Sequence, residues 1–389
     1  MKILTKIQKR VAERPAELAK LRSQGKTVIG WSGYNIPEEL IYALGLIPVR
    51  VAVGGDEKLV ELGQRYVSSR NCVYIRELLG YIAENKDPLI QQIDAYAFDA
   101  TCLQTFRAAE LVEYYFNKDV FVLGVPRNFY WKEAQDYFVK ETEYFVSLLE
   151  EKYGTKLDLQ KLKETISLYN RIREKIIELY TIQIDSAVVS WVDVYNIIQA
   201  GYTLDKAEYL ELLEQAVEEA DAYPREKDDN DVPRIFLSGS ILPPGDSKLI
   251  DIITNLGGRI VGDDLWSGIL PYLDLDIKEA TTGGVALGYL NRTPHGALPY
   301  LELESDRRIK KLRELVGLSR ANGVVYHTLR YCDPYSFKSL ETKHILVKEG
   351  IQFLEIHTEY ASSDTESIHT RIEAFLEMIE NNVLTKEVV

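Results

Sequence analysis

Cysteine is scarce in this chain: three residues in 389, odd in number and far apart. That excludes the disulfide framework of a small secreted domain and leaves metal ligation or inert burial as the roles open to them. Histidine is nearly as rare. His295, His327, His344, His357 and His369 include no close metal-ligand pair, and no G-x-S-x-G elbow accompanies them, so each reads as surface or hydrogen-bonded core. No uninterrupted apolar run approaches the ~20 residues that cross a bilayer. The opening stretch "MKILTKIQKRVAERPAELAKLRSQGK" has no apolar signal region or cleavage site and reads as an amphipathic helix, so the expected compartment is the cytoplasm. Positive charge is in deficit, 46 Lys and Arg against 60 Asp and Glu, a formal net charge of −14. Such a field repels phosphate backbones and anionic lipid, excluding nucleic acid and membrane surfaces as main partners. Nucleotide motifs are missing too. "GSILPPGDSK" lacks the Gly-Lys-Ser/Thr ending of a phosphate loop, and "GGRIVGD" and "TTGGVALG" lack the spacing of a dinucleotide fingerprint.

What is present is an alternation of short apolar runs and amphipathic stretches. "TVIGWSG", "LIPVRVAV", "IDAYAF" and "DVFVLGVP" read as strands, with helices at "PEELIYALG" and "LQTFRAAELVEYYF" between them. From about 131 to 222 the pattern turns helical, with "WKEAQDYFVKETEYFVSLLEEKYG", "LDLQKLKETISLYNRIREKIIELYT" and "TLDKAEYLELLEQAVEEADAY" showing apolar residues at helical spacing. "PREKDDNDVP" (224–233) reads as a linker, after which "RIFLSGSI", "GRIVGDD", "VVYHTL" and "IQFLEIH" resume the strand and helix alternation. The expectation is an α/β protein with two parallel-sheet, flavodoxin- or Rossmann-like lobes, an inserted helical segment and an N-terminal helix. The limits read from the sequence are 1–26 for the N-terminal helix, 27–130 for the first lobe, 131–230 for the helical segment and linker, and 231–389 for the second lobe.

On this map Cys72, Cys102 and Cys332 fall in equivalent settings, each just ahead of a helix. Ser68, Ser69 and Asn71 are candidate caps for the helix that Cys72 opens. Helix N-termini outside the carboxyl ends of parallel strands offer free N–H groups and positive potential, which favours thiolates and an anionic metal–thiolate centre. A lone cysteine is more often a small buried hydrophobe, but the polar neighbours Asn71, Thr101 and Asp333 fit a site better than a core. Iron–sulfur clusters usually take four thiolates, so three per chain implies an iron with an exchangeable ligand or a bridge to something else. For Arg70, Arg76 and Arg107 near the cysteines, surface ion pairing is the expected role. Tyr326, His327 and Tyr331 are candidate proton donors, with at least one of the strand pair Tyr326 and His327 turned into packing.

"IPEELIYALGLIPVRV", "NCVYIRELLG", "ATCLQTFRAAE", "NGVVYHTLRYCDPY" and "GIQFLEIHTEYASSDTESIHTRIEAFLEMI" together resemble the iron–sulfur subunits of 2-hydroxyacyl-CoA dehydratases and benzoyl-CoA reductases. The resemblance spans nearly the whole chain and is weakest in the central helices. It implies two α/β lobes with Cys72, Cys102 and Cys332 as ligands of an iron–sulfur cluster in the cleft, and a separate ATP-hydrolysing iron–sulfur reductase or activator as electron donor. The chain looks most like the double-cubane branch, homodimers in which two [4Fe-4S] units share a bridging sulfide in an [8Fe-9S] cluster and small molecules are reduced at low potential. Three thiolates from each of two chains would then account for the missing fourth cysteine. The alternative within the family is a 2-hydroxyacyl-CoA dehydratase subunit with a [4Fe-4S] cluster. "ESIHTR" stands where the family often has Gly-Gln before the Thr-Arg, which bears against its acyl-CoA contacts. The alternative of another class is a metal-free two-lobed binding protein with three structural cysteines.

Overall fold

The computed structural model describes residues 1–186, 188–225, 232–298 and 306–387. Two four-stranded parallel sheets organise it. The first holds β1 (Val28–Ser32), β2 (Ile47–Arg50), β3 (Ala95–Asp99) and β4 (Asp119–Leu123) in the order β2-β1-β3-β4. The second holds β5 (Arg234–Gly239), β6 (Arg259–Asp263), β7 (Gly323–Leu329) and β8 (Gln352–Thr358) in the order β6-β5-β7-β8. Every residue of the inner strands β1, β3, β5 and β7 is buried, because helices cover both faces; that is why these strands read as continuous apolar runs. The edge strands β4 and β8 are partly exposed. In each sheet the chain leaves the first strand on one side and returns on the other, so the order reverses between β1 and β3 and again between β5 and β7. Such reversals open a crevice at the carboxyl ends of the strands.

The helical segment comprises Lys132–Tyr153, Leu159–Ile184, Trp191–Gly201 and Lys206–Asp221. Gly154, at φ 61°, ends the first helix in the left-handed conformation. Asp158, Ser190 and Asp205 start the other three, each side chain accepting a first-turn N–H. Trp191–Gly201 has no counterpart in the sequence reading. Seven of its residues, Trp191, Val194, Tyr195, Ile197, Ile198, Ala200 and Gly201, are buried, and Asp193, Asn196 and Gln199 form a narrow polar stripe at three-residue spacing. Thr282–Asn291, within the glycine-rich "TTGGVALG" region, went unread because its residues are apolar or glycine nearly all round, which leaves no polar face to mark the period. The N-terminal helix, Ile3–Ser23, packs on Trp191–Gly201 and Lys206–Asp221. Residues 226–231 of the expected linker lie outside the described residues.

The two lobes meet along the carboxyl ends of their sheets. Val73 N–H donates to the Arg330 carbonyl at 3.2 Å and Gly54 N–H to the Pro244 carbonyl at 3.0 Å. A side chain on Gly55 would sit 2.4 Å from the Gly245 carbonyl oxygen, so two backbones pass where only glycine fits. One apolar cluster crosses the junction, with Tyr34, Tyr74 and Phe98 from one side and Ile241, Trp266 and Tyr360 from the other.

Candidate functional site

All three cysteines stand at the junction as N-cap residues. Cys102 follows Asp99, the last residue of β3, by three positions and caps Leu103–Phe116; its sulfur accepts the Thr105 N–H at 3.4 Å and lies 3.0 Å from the Thr105 hydroxyl. Cys332 follows Leu329, the last residue of β7, by the same three positions. There the turn is tighter: Tyr331 takes a left-handed φ of 64°, Cys332 N–H donates to the Leu329 carbonyl at 2.9 Å, and the helix Asp333–Ser336 lasts one turn. Cys72 caps Val73–Glu84 with no side-chain capping bond. The expected caps Ser68, Ser69 and Asn71 do not perform that role. Ser68 Oγ accepts the Arg70 N–H and Asn71 Nδ2 donates to the Ser68 carbonyl, so Ser68 and Asn71 shape the preceding turn instead. The helix behind Cys72 is held by a backbone-tight crossing with Glu57–Gly63, where a Cβ on Gly80 would come within 1.9 Å of the Leu59 carbonyl oxygen.

Cys72, Cys102 and Cys332 line one cavity, together with Tyr34, Trp266 and His295, that leaves about 40 Å³ open to the centre of a water-sized molecule. The Cys332 thiol donates to the Cys72 sulfur; this bond, the first-turn N–H groups of Ile75 and Tyr74, and the Arg76 charge lower the Cys72 pKa despite its burial. Holding that proton, and burial, push Cys332 well above the ordinary thiol value, while burial raises Cys102. The trio therefore favours its first thiolate on Cys72, and metal entry at the other two would release protons. Among the described residues no three His, Cys, Asp or Glu side chains converge on the position of one metal ion. Three thiols spread around a cavity instead suit a polynuclear centre, in which separate irons each take a thiolate.

His295, buried against Tyr34, Trp266 and Tyr335 with ring centroids 5.3, 5.5 and 5.3 Å away, escaped the sequence reading, which left it as surface or core. Burial, with Arg308 and Lys338 nearby, holds its pKa well below the usual imidazole value. Its Nδ1 accepts the Ala297 N–H at 3.0 Å, so the neutral ring carries its proton on Nε2. Asp99, at the end of β3, accepts N–H groups from Asn35 and Thr101 and presses so closely on Gly33 that a Cβ there would meet its carboxyl carbon at 2.5 Å. Tyr34, Asp99, Ser240 and Trp266 lie at or just after the ends of β1, β3, β5 and β6, the same carboxyl-end signal that the sequence analysis applies to the cysteines alone.

The remaining candidates divide. Arg107 pairs with Glu110 at the surface as expected, whereas Arg76 is buried and bridges the lobes through Glu359 at 3.1 Å. Tyr326 and His327 are both buried, the phenol donating to the Tyr335 carbonyl at 3.0 Å and the imidazole Nε2 bonding the Thr358 hydroxyl at 2.6 Å, so both face packing. Tyr331 is 40% exposed. No described helix is long and apolar enough to cross a membrane.

Residues 34–379, which include the three cysteines and most of both sheets, match the family model described as 2-hydroxyglutaryl-CoA dehydratase, D-component. The chain belongs to this family. Among its relatives, a subunit of the benzoyl-CoA reductase of Thauera aromatica is 25% identical over 79% of each chain. Lactoyl-CoA dehydratase subunit beta of Anaerotignum propionicum is 22% identical over 91% of this chain and 92% of its own. The (R)-2-hydroxyglutaryl-CoA dehydratase subunit beta of Acidaminococcus fermentans is 25% identical over 97% and 99%. As a D-component family member, the chain is related along nearly its whole length to subunits of enzymes, some reductases and some dehydratases. The two-lobed resemblance read from the sequence thus stands, and a partner protein is consistent with relatives that are themselves subunits.

Proposed function

We propose that this chain is the iron–sulfur component of an ATP-dependent reductase acting on small molecules, with Cys72, Cys102 and Cys332 as ligands of an [8Fe-9S] double cubane shared between two copies. A separate ATP-hydrolysing iron–sulfur reductase supplies the electrons. The observation that carries the reading is the gathering of all three cysteines, from two lobes and more than 200 positions of sequence, on one cavity wall at three helix starts. When bound, the cluster supplies one-electron chemistry at low potential. The chain's own part is electrostatic and steric. First-turn N–H groups face the sulfurs, apolar walls exclude water, and both features tune such a centre. His295 Nε2 offers a fixed proton inside the same cavity. The small free space favours small substrates over a bulky thioester.

The family description and its dehydratase relatives favour a second reading, a 2-hydroxyacyl-CoA dehydratase subunit with a [4Fe-4S] cluster. Anaerobic iron and sulfide analysis separates the two: sulfide in excess over iron supports the double cubane, and equal amounts support separate cubanes. The same analysis on Cys332→Ala tests the ligands. A loss of most iron is expected, and full iron retention would overturn the assignment.

A further inference from the structure

Beside the cysteine cavity, sharing Gly33, Tyr34 and Trp266 with it, lies a second cavity with about 50 Å³ open to the centre of a water-sized molecule. Four cations line it: Arg50, Arg173, Lys206 and Arg292. Two are already neutralised, Arg173 by Glu39 at 2.7 Å and Lys206 by Glu38 at 2.8 Å. Arg50 and Arg292 are left, 5% and 3% exposed, with no carboxylate in ion-pair reach among the described residues. Arg292 gives Nη1 to the Pro271 carbonyl and Nη2 to the Tyr34 carbonyl. Arg50 has far less: Nε and Nη1 are buried without a hydrogen-bond partner among the described residues, and Nη2 reaches the Trp266 carbonyl only at 3.5 Å. Its guanidinium sits in an aromatic box, 4.4 Å from the Tyr202 ring centroid, 5.0 Å from Trp266 and 5.6 Å from Trp31. Asp263 does not serve it, because that carboxyl accepts from Trp191 Nε1 and from the Leu265 and Ile269 N–H groups.

A buried guanidinium with two idle donor groups is strongly disfavoured unless an anion completes it, and rings offset only part of that cost. Size narrows the ligand. With only about 50 Å³ open to the centre of a water-sized molecule, the cavity favours a ligand of a few non-hydrogen atoms. Arg50 and Tyr202 also border the large open groove between the N-terminal helix and the first lobe, lined by Ile7, Val11 and Tyr81. The groove, the Arg50 box and the cysteine cavity thus adjoin in series. We propose that Arg50 and Arg292 form a binding site for a small monoanion of carboxylate type, taken from the groove and held beside the cysteine cavity. It deepens the reductase reading by naming the substrate class, and depends on that reading only for what happens to the ligand after it binds.

The test is binding of acetate to the full chain, followed by the fluorescence of Trp31 and Trp266, with the neutral isostere acetamide as control. Acetate is expected to give a saturable change, with acetamide about 10- to 100-fold weaker because the charge-assisted bonds are lost. Arg50→Gln should weaken acetate by a similar factor, and benzoate, too large for the space, should not compete. Equal binding of acetate and acetamide, or competition by benzoate, would overturn the proposal on the unmodified protein, whatever the stability of the variant. Iron content reports on the cluster and acetate binding on this site, so either reading can fail alone.

Discussion

The two lobes share one plan and put it to unequal use. Each sheet reverses its order beside the first strand, and each carries a cysteine three positions beyond the strand that follows the reversal, Cys102 after β3 and Cys332 after β7. In the first lobe that cysteine starts a helix of 14 residues and its sulfur is held by Thr105; in the second it starts a single turn, behind a left-handed Tyr331. Cys72 is the first lobe's second contribution, and the second lobe has no equivalent. The difference teaches that a repeated fold supplies repeated positions at the strand ends, while the donor set is completed by a helix of one lobe and closed by the turn of the other. Neither lobe alone assembles the site.

The glycines at the matching strand ends give the largest test of this comparison. Gly239, at φ 116°, would place a Cβ 1.9 Å from the His327 carbonyl oxygen of the neighbouring strand, whereas the nearest atoms to a Cβ on Gly33, at φ 142°, belong to the Asp99 carboxyl, a side-chain group and not backbone. Gly239→Ala is expected to cost about 3 kcal/mol or more and Gly33→Ala about 1–3 kcal/mol. Denaturant unfolding of both variants checks the order, and the reverse order would break the claim that the second lobe is the tighter.

Next in size is a pH effect at the lobe junction. Burial raises the Glu77 carboxyl from 4.5 to about 8, with Asp246 and Asp56 adding to it, and raises Asp246 from 3.8 to about 7. Between the ordinary and the raised values the folded protein binds more protons than the unfolded chain, so stability is full below about pH 4 and is lost as pH rises towards 8. Glu77→Gln, which keeps an acceptor for the Asp56 N–H, should be more stable than the parent by about 1–3 kcal/mol at pH 8 and no more stable at pH 4. Melting curves at the two pH values decide it. The smallest effect belongs to Thr105→Val. Removing the hydroxyl beside Cys102 leaves the N–H bond to sulfur, so a loss within about 1 kcal/mol is expected in a thermal melt, and a larger one would mean that the first lobe depends on this cap more than the second does on any.

Much of the fold was legible because inner parallel strands must be apolar on both faces and because amphipathic helices announce themselves by period. The inner strands β1, β3, β5 and β7 and the helices Lys132–Tyr153, Leu159–Ile184 and Lys206–Asp221 were found on those grounds. Trp191–Gly201 was not, because its polar stripe is only Asp193, Asn196 and Gln199, with apolar residues over the rest of its surface. In the site, the three cysteines stood out by rarity and by their place before helices. Tyr34, Asp99 and Trp266 had the strand-end signal but common identities, and His295 follows a glycine-rich connection with no signal in its neighbours.

By itself the sequence determined the alternation of elements, the absence of membrane-crossing runs, and the three thiols at chain turns, because each depends on residues close together along the chain. The tertiary structure alone decided which thiol faces which, that His295 and Trp266 share their cavity, and that Arg50 is buried in an aromatic box with no carboxylate in ion-pair reach among the described residues. Those facts depend on segments distant in the chain, Arg50 and Trp266 among them at 216 positions apart, brought together when apolar strand ends from two lobes close on one another and exclude water.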